Sequence, residues 1–177
     1  PAEVDTVVLA VSYMKDALDA YFSSHDVGRK VVLVNEEAPL GTGGAVKNVA
    51  HYINDTFIAF NGDVVCSVDL NDMLHHHREH GGIGTMALWR VDDPSAFGVV
   101  GRDSRGRITS FQEKPAKEEA ISNSINAGVY IFEKELLDHI PAGVVSLERD
   151  VFPKILNKGL HGYEFKGHWI DCGTREN

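Results

Sequence analysis

Asp63 follows Thr56-Phe57-Ile58-Ala59-Phe60-Asn61-Gly62, an apolar, partly β-branched run that stops at a turn dipeptide. A short apolar run bounded by turn residues reads as a buried strand of a parallel sheet. Gly62 can take positive φ at no steric cost, so the strand breaks there and leaves Asp63 at its carboxyl end. In open α/β sheets ligands bind at that edge. A carboxylate there suits a hard divalent cation such as Mg²⁺, which takes oxygen ligands and shares substrate phosphates. The plainer alternative is an Asp that caps the next turn. A second Asp followed closely by Gly occurs at Asp171-Cys172-Gly173.

Three further stretches carry chemically useful residues. Pro39-Leu40-Gly41-Thr42-Gly43-Gly44-Ala45 runs into a helix expected to reach about His51. Such a Gly-rich loop lets backbone N–H groups approach an anion or a nucleotide. Its spacing fits neither the dinucleotide fingerprint nor the Walker A loop, and a plain flexible loop is the alternative. In Phe111-Gln112-Glu113-Lys114-Pro115, Pro115 stops a strand and biases Lys114 to an extended backbone. Glu113 and Lys114 then point to opposite faces, and Lys114 reaches a phosphate as a compact point charge or is simply a surface Lys. Ser124-Ile125-Asn126-Ala127-Gly128-Val129-Tyr130-Ile131-Phe132 is a strong strand with a small-residue start, which serves close ligand approach or crowded packing equally well. His75, His76, His77 and His80 include an i, i+4 pair, but cations at a helix C-terminus already account for them and no His metal site is expected.

The elements that position these residues follow in order. Thr6 to Val11 reads as a strand, Ser12 as an N-cap, Met14 to Phe22 as a helix and Val31 to Val34 as a second strand. That is a βαβ unit, so the first sheet is expected to be parallel. A helix is predicted from about Asp69 to His80, a strand over Ile83 to Val91, and a hairpin joining Phe97–Val100 to Arg107–Gln112. A helix over Lys134 to His139, a helix start capped by Ser146, and strands at Leu160–Phe165 and His168–Thr174 complete the chain.

The 177 residues suit one domain with a sizeable core, and 43% hydrophobic with 24% charged residues is ordinary for a globular protein. A formal charge of −9 argues against a nucleic-acid partner but not against a phosphorylated small molecule. The expectation is a cytoplasmic protein without a membrane partner, since no apolar run approaches a membrane span and no signal peptide is seen. Cys66 and Cys172 are read as reduced thiols.

Six of these pieces in this order resemble the sugar-1-phosphate nucleotidylyltransferases. They are Leu40–Ala45, Asn61–Asp63, Phe97–Val100, Phe111–Pro115, Asn126–Tyr130 and Trp169–Thr174. Within that family, Ser146-Leu147-Glu148-Arg149-Asp150-Val151-Phe152-Pro153 looks most like the mannose-1-phosphate guanylyltransferase branch. The resemblance implies an α/β, three-layer, Rossmann-like fold with a mostly parallel mixed sheet. It implies Asp63 and Asp171 as paired Mg²⁺ ligands and Lys114 as the holder of the sugar 1-phosphate. Leu40, Gly41, Thr42, Gly43 and Gly44 would lie along base and ribose. Gly98, Glu113, Asn126 and Gly128 would line the sugar pocket, and Asn61 would join the substrate-binding set. The implied reaction joins a nucleoside triphosphate and a sugar 1-phosphate and releases pyrophosphate.

There are departures. The family begins with a first strand and a loop of the form Gly-x-Gly-Thr-Arg followed by Pro-Lys, which wraps the triphosphate. In this sequence Asp5 to Val11 corresponds to the family's second strand. The expectation is therefore a catalytic domain over residues 1–177 that lacks the first strand and signature loop, with both ends cut. A C-terminal β-helix appendage is also not seen, and Cys172 stands where a small apolar or hydroxyl residue is more usual. The alternatives are a non-catalytic subunit that binds a nucleotide sugar, a glucose-1-phosphate thymidylyl- or uridylyltransferase-like enzyme, and, more weakly, a metal-dependent glycosyltransferase. Base, sugar and any homo-oligomeric state are left open.

Overall fold

The computed structural model describes residues 4–173; Thr174 of the last quoted motif lies outside them. The largest sheet is built around β8 (Ser124–Phe132), whose long apolar run supplies two faces at once. One edge of β8 pairs antiparallel with β5 (Gly84–Arg90). The other is shared, antiparallel in both cases, by β3 (Phe57–Phe60) and β6 (Gly98–Arg102). β7 (Ile108–Glu113) forms the expected hairpin with β6. β9 (Leu160–Glu164) adds to β5 in parallel. This sheet is mixed and mostly antiparallel, not mostly parallel as expected from the sequence. Among the described residues its one parallel pair is β5 with β9.

The predicted βαβ unit is present as β1 (Thr6–Val11), α1 (Lys15–Ser24) and β2 (Lys30–Asn35), with β1 and β2 parallel. It forms a separate two-stranded sheet. Ser12 is not its cap; the helix starts after Met14, which takes a left-handed φ of 56°. Among the described residues, β1 pairs only with β2 and β3 only with β8. Among the described residues β3 is therefore an edge strand paired antiparallel with β8, not the buried central strand of a parallel sheet. Phe60 remains 48% exposed and no residue of α1 is buried.

Side-chain alternation along β5 and β8 divides the core. Met86, Leu88, Tyr130 and Phe132 face a layer made of Leu136, Leu137, Leu147, Val151, Phe152 and Ile155. Ala87, Ala127, Val129 and Ile131 face α3 (Leu70–His80) through Met73. Helical layers thus flank a sheet. Burying side chains of this size stabilises by about 1.5–3 kcal/mol each, which is why β8 anchors everything else. α3 begins at Asp69, whose carboxylate accepts from the Asn71 and Asp72 amides, and it ends at Gly81. The Lys134–His139 and Leu147–Val151 segments are a 3₁₀ and a π turn, and α4 (Phe152–Ile155) follows the latter. No helix among the described residues is long and apolar enough to cross a membrane.

The histidines of α3 separate into two roles. His77 is buried, its ring nitrogens 2.9 Å from Thr85 Oγ1 and 3.0 Å from Glu133 Oε1. His76 and His80 stack with ring centroids 4.0 Å apart, and His161 lies 5.3 Å from His80. Burial, then His80 and His161, lower the His76 pKa to about 4; Glu79 opposes this and His77 adds slightly to it. Burial and His80 also lower His161, which faces Arg107 and Asp103 as well. Between about pH 6.5 and pH 4 the unfolded chain therefore binds a proton at His76 that the folded chain refuses. Stability should fall as pH drops through that window and gain nothing from this group above it. Because His76 is only partly buried, screening limits the loss to about 1–2 kcal/mol. Urea unfolding at pH 7, 5.5 and 4.5 checks this: the fall should be shallower in His76→Gln than in the wild type.

Candidate active site

Asp63 lies in the turn that joins β3 to β4 (Val64–Cys66), and Asp171 ends β10 (Trp169–Asp171). β4 and β10 pair antiparallel with Asp171 opposite Val64, so a two-stranded ribbon carries both carboxylates to one place. The Cys172 amide donates to the Asp63 carbonyl at 2.7 Å, and the Gly173 amide donates to Asp171 Oδ1 at 2.7 Å. A Cβ added to Gly173 would stand 2.9 Å from Asp63 Oδ2 and 3.0 Å from Asp171 Oδ1. The two carboxylate oxygens therefore converge on a point that only glycine keeps open. Such a pair of hard oxygen donors fits Mg²⁺. Among the described residues no group of three or more His, Cys, Asp or Glu side chains could hold a metal, so phosphate and water would supply the other ligands.

Asn61 connects this turn to β8. Its amide donates to the Gly128 carbonyl at 2.8 Å. Gly128 has a φ of +74°, and a Cβ there would meet Val64 Cγ2 at 3.0 Å and Asn61 at 3.1 Å. The small-residue start of β8 thus answers to packing by the chain itself. Gly128→Ala should cost about 1–3 kcal/mol, from the left-handed backbone and the displaced Asn61, measured by urea unfolding. Two residues before Gly128, the Asn126 side chain donates to Tyr130 Oη at 2.7 Å and accepts from the Gly128 amide at 3.1 Å. Asn126 is the one residue of β8 that is not buried, so it presents this polar cluster to the surface.

β7 brings Glu113 opposite Gly98, and a Cβ on Gly98 would lie 3.3 Å from Glu113 Oε2 and 2.5 Å from the Phe111 ring. Burial raises the Glu113 pKa, and Glu148 raises it further, against the opposing charges of Lys114 and Arg149. Tyr130 is raised by burial first and by Glu148 second. Lys114 is exposed and differs from expectation. Its φ is +47°, left-handed rather than extended, despite Pro115. The Lys114 amide donates to the Phe97 carbonyl at 3.0 Å, which holds this costly backbone in place. The Phe97 ring in turn packs edge-on against Trp169, two residues from Asp171. Trp169 Nε1 donates to the Ala127 carbonyl at 2.9 Å.

The Gly-rich stretch is not a loop before a helix: it is the first turn of α2 (Gly41–Asn48), after Leu40. Its glycines meet the chain itself. A Cβ on Gly41 would stand 2.6 Å from the Val145 carbonyl oxygen, and one on Gly44 2.5 Å from that of Gly143. The amides of Gly43 and Gly44 both donate to Val145 O, at 2.9 and 3.2 Å. Those two N–H groups are therefore spent inside the protein and do not cradle an anion. Gly41 and Thr42 remain exposed on the outer side of the turn. Glu148 and Tyr130 are residues of this site that sequence reasoning missed. Period-two alternation places Tyr130 on the face of Asn126 and Gly128 and could have found it.

The chain is 42% identical to the mannose-1-phosphate guanylyltransferase of Mycobacterium tuberculosis over 99% of its own length and 50% of that protein's. It is 38% identical to the mannose-1-phosphate guanylyltransferase catalytic subunit beta of Danio rerio, over 97% of the chain and 49% of that protein. The chain thus spans about half the length of the curated relatives it matches. Among solved structures, HddC from Yersinia pseudotuberculosis superposes with a TM-score of 0.83 at 30% identity, over 98% of this chain and 76% of that one. The same protein complexed with GMP-PN matches with a TM-score of 0.80, over 96% of this chain and 73% of that one. The nucleotidyl transferase family model matches residues 2–177, and the chain belongs to that family.

Proposed function

We propose that this chain is the greater part of a catalytic domain that transfers a nucleotidyl group to a sugar 1-phosphate, in the manner of the mannose-1-phosphate guanylyltransferases. The convergence of Asp63 and Asp171 on the space above Gly173 carries this reading. Asp63 and Asp171 would hold Mg²⁺, which when bound neutralises charge on the phosphates. The Cys172 amide on the Asp63 carbonyl and the Gly173 amide on Asp171 Oδ1 hold the two residues together before any substrate arrives, so less reorganisation is left for the reaction. Lys114, exposed beside Glu113, attracts the sugar phosphate and offsets its repulsion from the triphosphate. A phosphate oxygen of the sugar then attacks the α-phosphorus in line, the α–β bridging bond breaks, and pyrophosphate leaves. Asn126 and Glu113 offer polar groups to sugar hydroxyls, and the exposed side of Leu40–Thr42 lies along the base.

The edges of β1 and β3 that have no strand partner among the described residues are where we place the family's first strand, with its triphosphate-wrapping loop. Mannose 1-phosphate with GTP is the pair favoured by the similarity to the two guanylyltransferases. Pyrophosphate release by the full-length protein, with GTP, UTP and dTTP each offered mannose 1-phosphate or glucose 1-phosphate, tests the reading. Turnover with GTP and mannose 1-phosphate is expected. No turnover with any pair, in protein shown to be folded, would leave a nucleotide-sugar binder in its place.

A further inference from the structure

α2 starts without a capping side chain of its own. Three of its first four residues are Gly41, Gly43 and Gly44, so this turn has almost no side chain with which to fix its own position. Thr42 is the exception. Its hydroxyl donates to Glu148 Oε2 at 2.7 Å, across 106 residues of sequence, and accepts from the Leu147 amide at 2.9 Å. The same Glu148 oxygen accepts from Ser146 Oγ at 2.8 Å, and Ser146 Oγ accepts from the Arg149 amide at 3.2 Å. Both sides of the contact are therefore oriented by other bonds.

The two partners differ in rigidity. Glu148 sits between Leu147 and Val151, which are 2% and 0% exposed. Phe152, next along, is fully buried against the rings of Phe111, Tyr130 and Phe132. Glu148 is thus mounted on the core, while Thr42 is mounted on glycines. A site held by residues that are themselves locked by packing keeps its geometry, and Glu148 extends that lock to the Thr42 side chain, as the Gly43 and Gly44 amides on Val145 do for the backbone beside it.

We infer that Glu148 is a positioning residue for the nucleotide: through Thr42 it fixes the first turn of α2 at the place where base and ribose would lie. This rests on the nucleotidyl-transfer reading above. The carboxylate does not touch the reacting atoms; it acts through Thr42, adding to the Glu36 carboxylate on the Leu40 amide and the Val145 backbone bonds that also hold the turn. The larger effect belongs to the nucleoside triphosphate, because Glu148 is bonded to Thr42 and reaches the proposed sugar contacts on β7 and β8 only through its charge.

The test uses the full-length protein with Mg²⁺, measuring GTP dissociation by calorimetry and KM for GTP and for mannose 1-phosphate. Glu148→Ala should raise the GTP dissociation constant and KM about 10-fold and leave the mannose 1-phosphate KM within about twofold. Thr42→Val should do the same, and the double variant should be no worse than either single one. Glu148→Gln and Thr42→Ser keep the hydrogen bond and should stay within about threefold of the wild type. These conservative variants separate positioning from misfolding. Equal loss for both substrates, additive losses, or an unchanged GTP constant in Glu148→Ala would each overturn the inference while leaving the function intact. A wild-type protein that binds none of GTP, UTP and dTTP would overturn the reading beneath it, and the inference with it.

Discussion

Asp171→Asn is expected to lower kcat by about 10²–10³-fold, the usual consequence of losing one preorganised charged group at a transferring phosphoryl centre. The reason is local. Asp171 Oδ1 and Asp63 Oδ2 stand at 3.0 and 2.9 Å from one point above Gly173, and replacing either carboxylate leaves a cation one anionic ligand there. The amide of Asn keeps the shape of the side chain and can still accept from the Gly173 amide, as Asp171 does at 2.7 Å. The loss is therefore one of charge, not of fold, and unfolding midpoints should change little. Asp63→Asn should behave alike. Residues that act on one ion act as a unit, so the double variant should be little worse than either single one. Steady-state pyrophosphate release at saturating substrates reads this directly. A kcat within threefold of the wild type for both single variants would remove the metal pair from the mechanism.

Lys114→Ala is expected to lower kcat/KM for the sugar 1-phosphate by about 10²-fold, with a much smaller change in KM for the triphosphate. Lys114 is held in a left-handed backbone by its bond to Phe97, and that backbone decides where the ammonium goes. A strained, non-glycine residue at such a position is costly, and its neighbourhood explains what the cost secures. Glu113 precedes it and faces Gly98, so the cation and the carboxylate proposed to meet sugar hydroxyls leave the same strand end. Lys114→Arg should recover only a small part of the loss, because a forked, planar guanidinium does not replace a compact charge on a short tether. Varying each substrate in turn measures the split. A loss falling equally on both substrates would move Lys114 from the sugar phosphate to a general electrostatic role.

Much of the framework that positions this candidate site was legible before the structure because its parts are short and local. The hairpin of β6 and β7, the helix capped by Asp69, and the Asp that ends each of two apolar runs are set by neighbours in sequence. The direction of β3 was not legible. Phe57-Ile58-Ala59-Phe60 reads the same in a parallel or an antiparallel sheet, and its pairing is decided by β8, about 70 residues later. The glycines of α2 misled for a similar reason. Their lack of side chains was read as room for a ligand, yet Gly41, Gly43 and Gly44 make room for the backbone and side chain of Val145 and for Gly143. Lys114 departed from the rule for residues before proline because a tertiary hydrogen bond outweighs that local bias. Glu148 stayed hidden because Ser146-Leu147-Glu148 already had a sufficient local explanation as a helix start. Its second partner, Thr42, is visible only when the chain is folded.

The most direct test of the central claim is the dependence of pyrophosphate release on divalent metal in the full-length protein, compared between the wild type and Asp171→Asn. Turnover should vanish in chelator and return with Mg²⁺, and the variant should need about 10-fold more metal for half-maximal rate. Undiminished turnover in chelator, or a variant with the metal dependence of the wild type, would contradict the assignment of Asp63 and Asp171 as the pair that holds the ion.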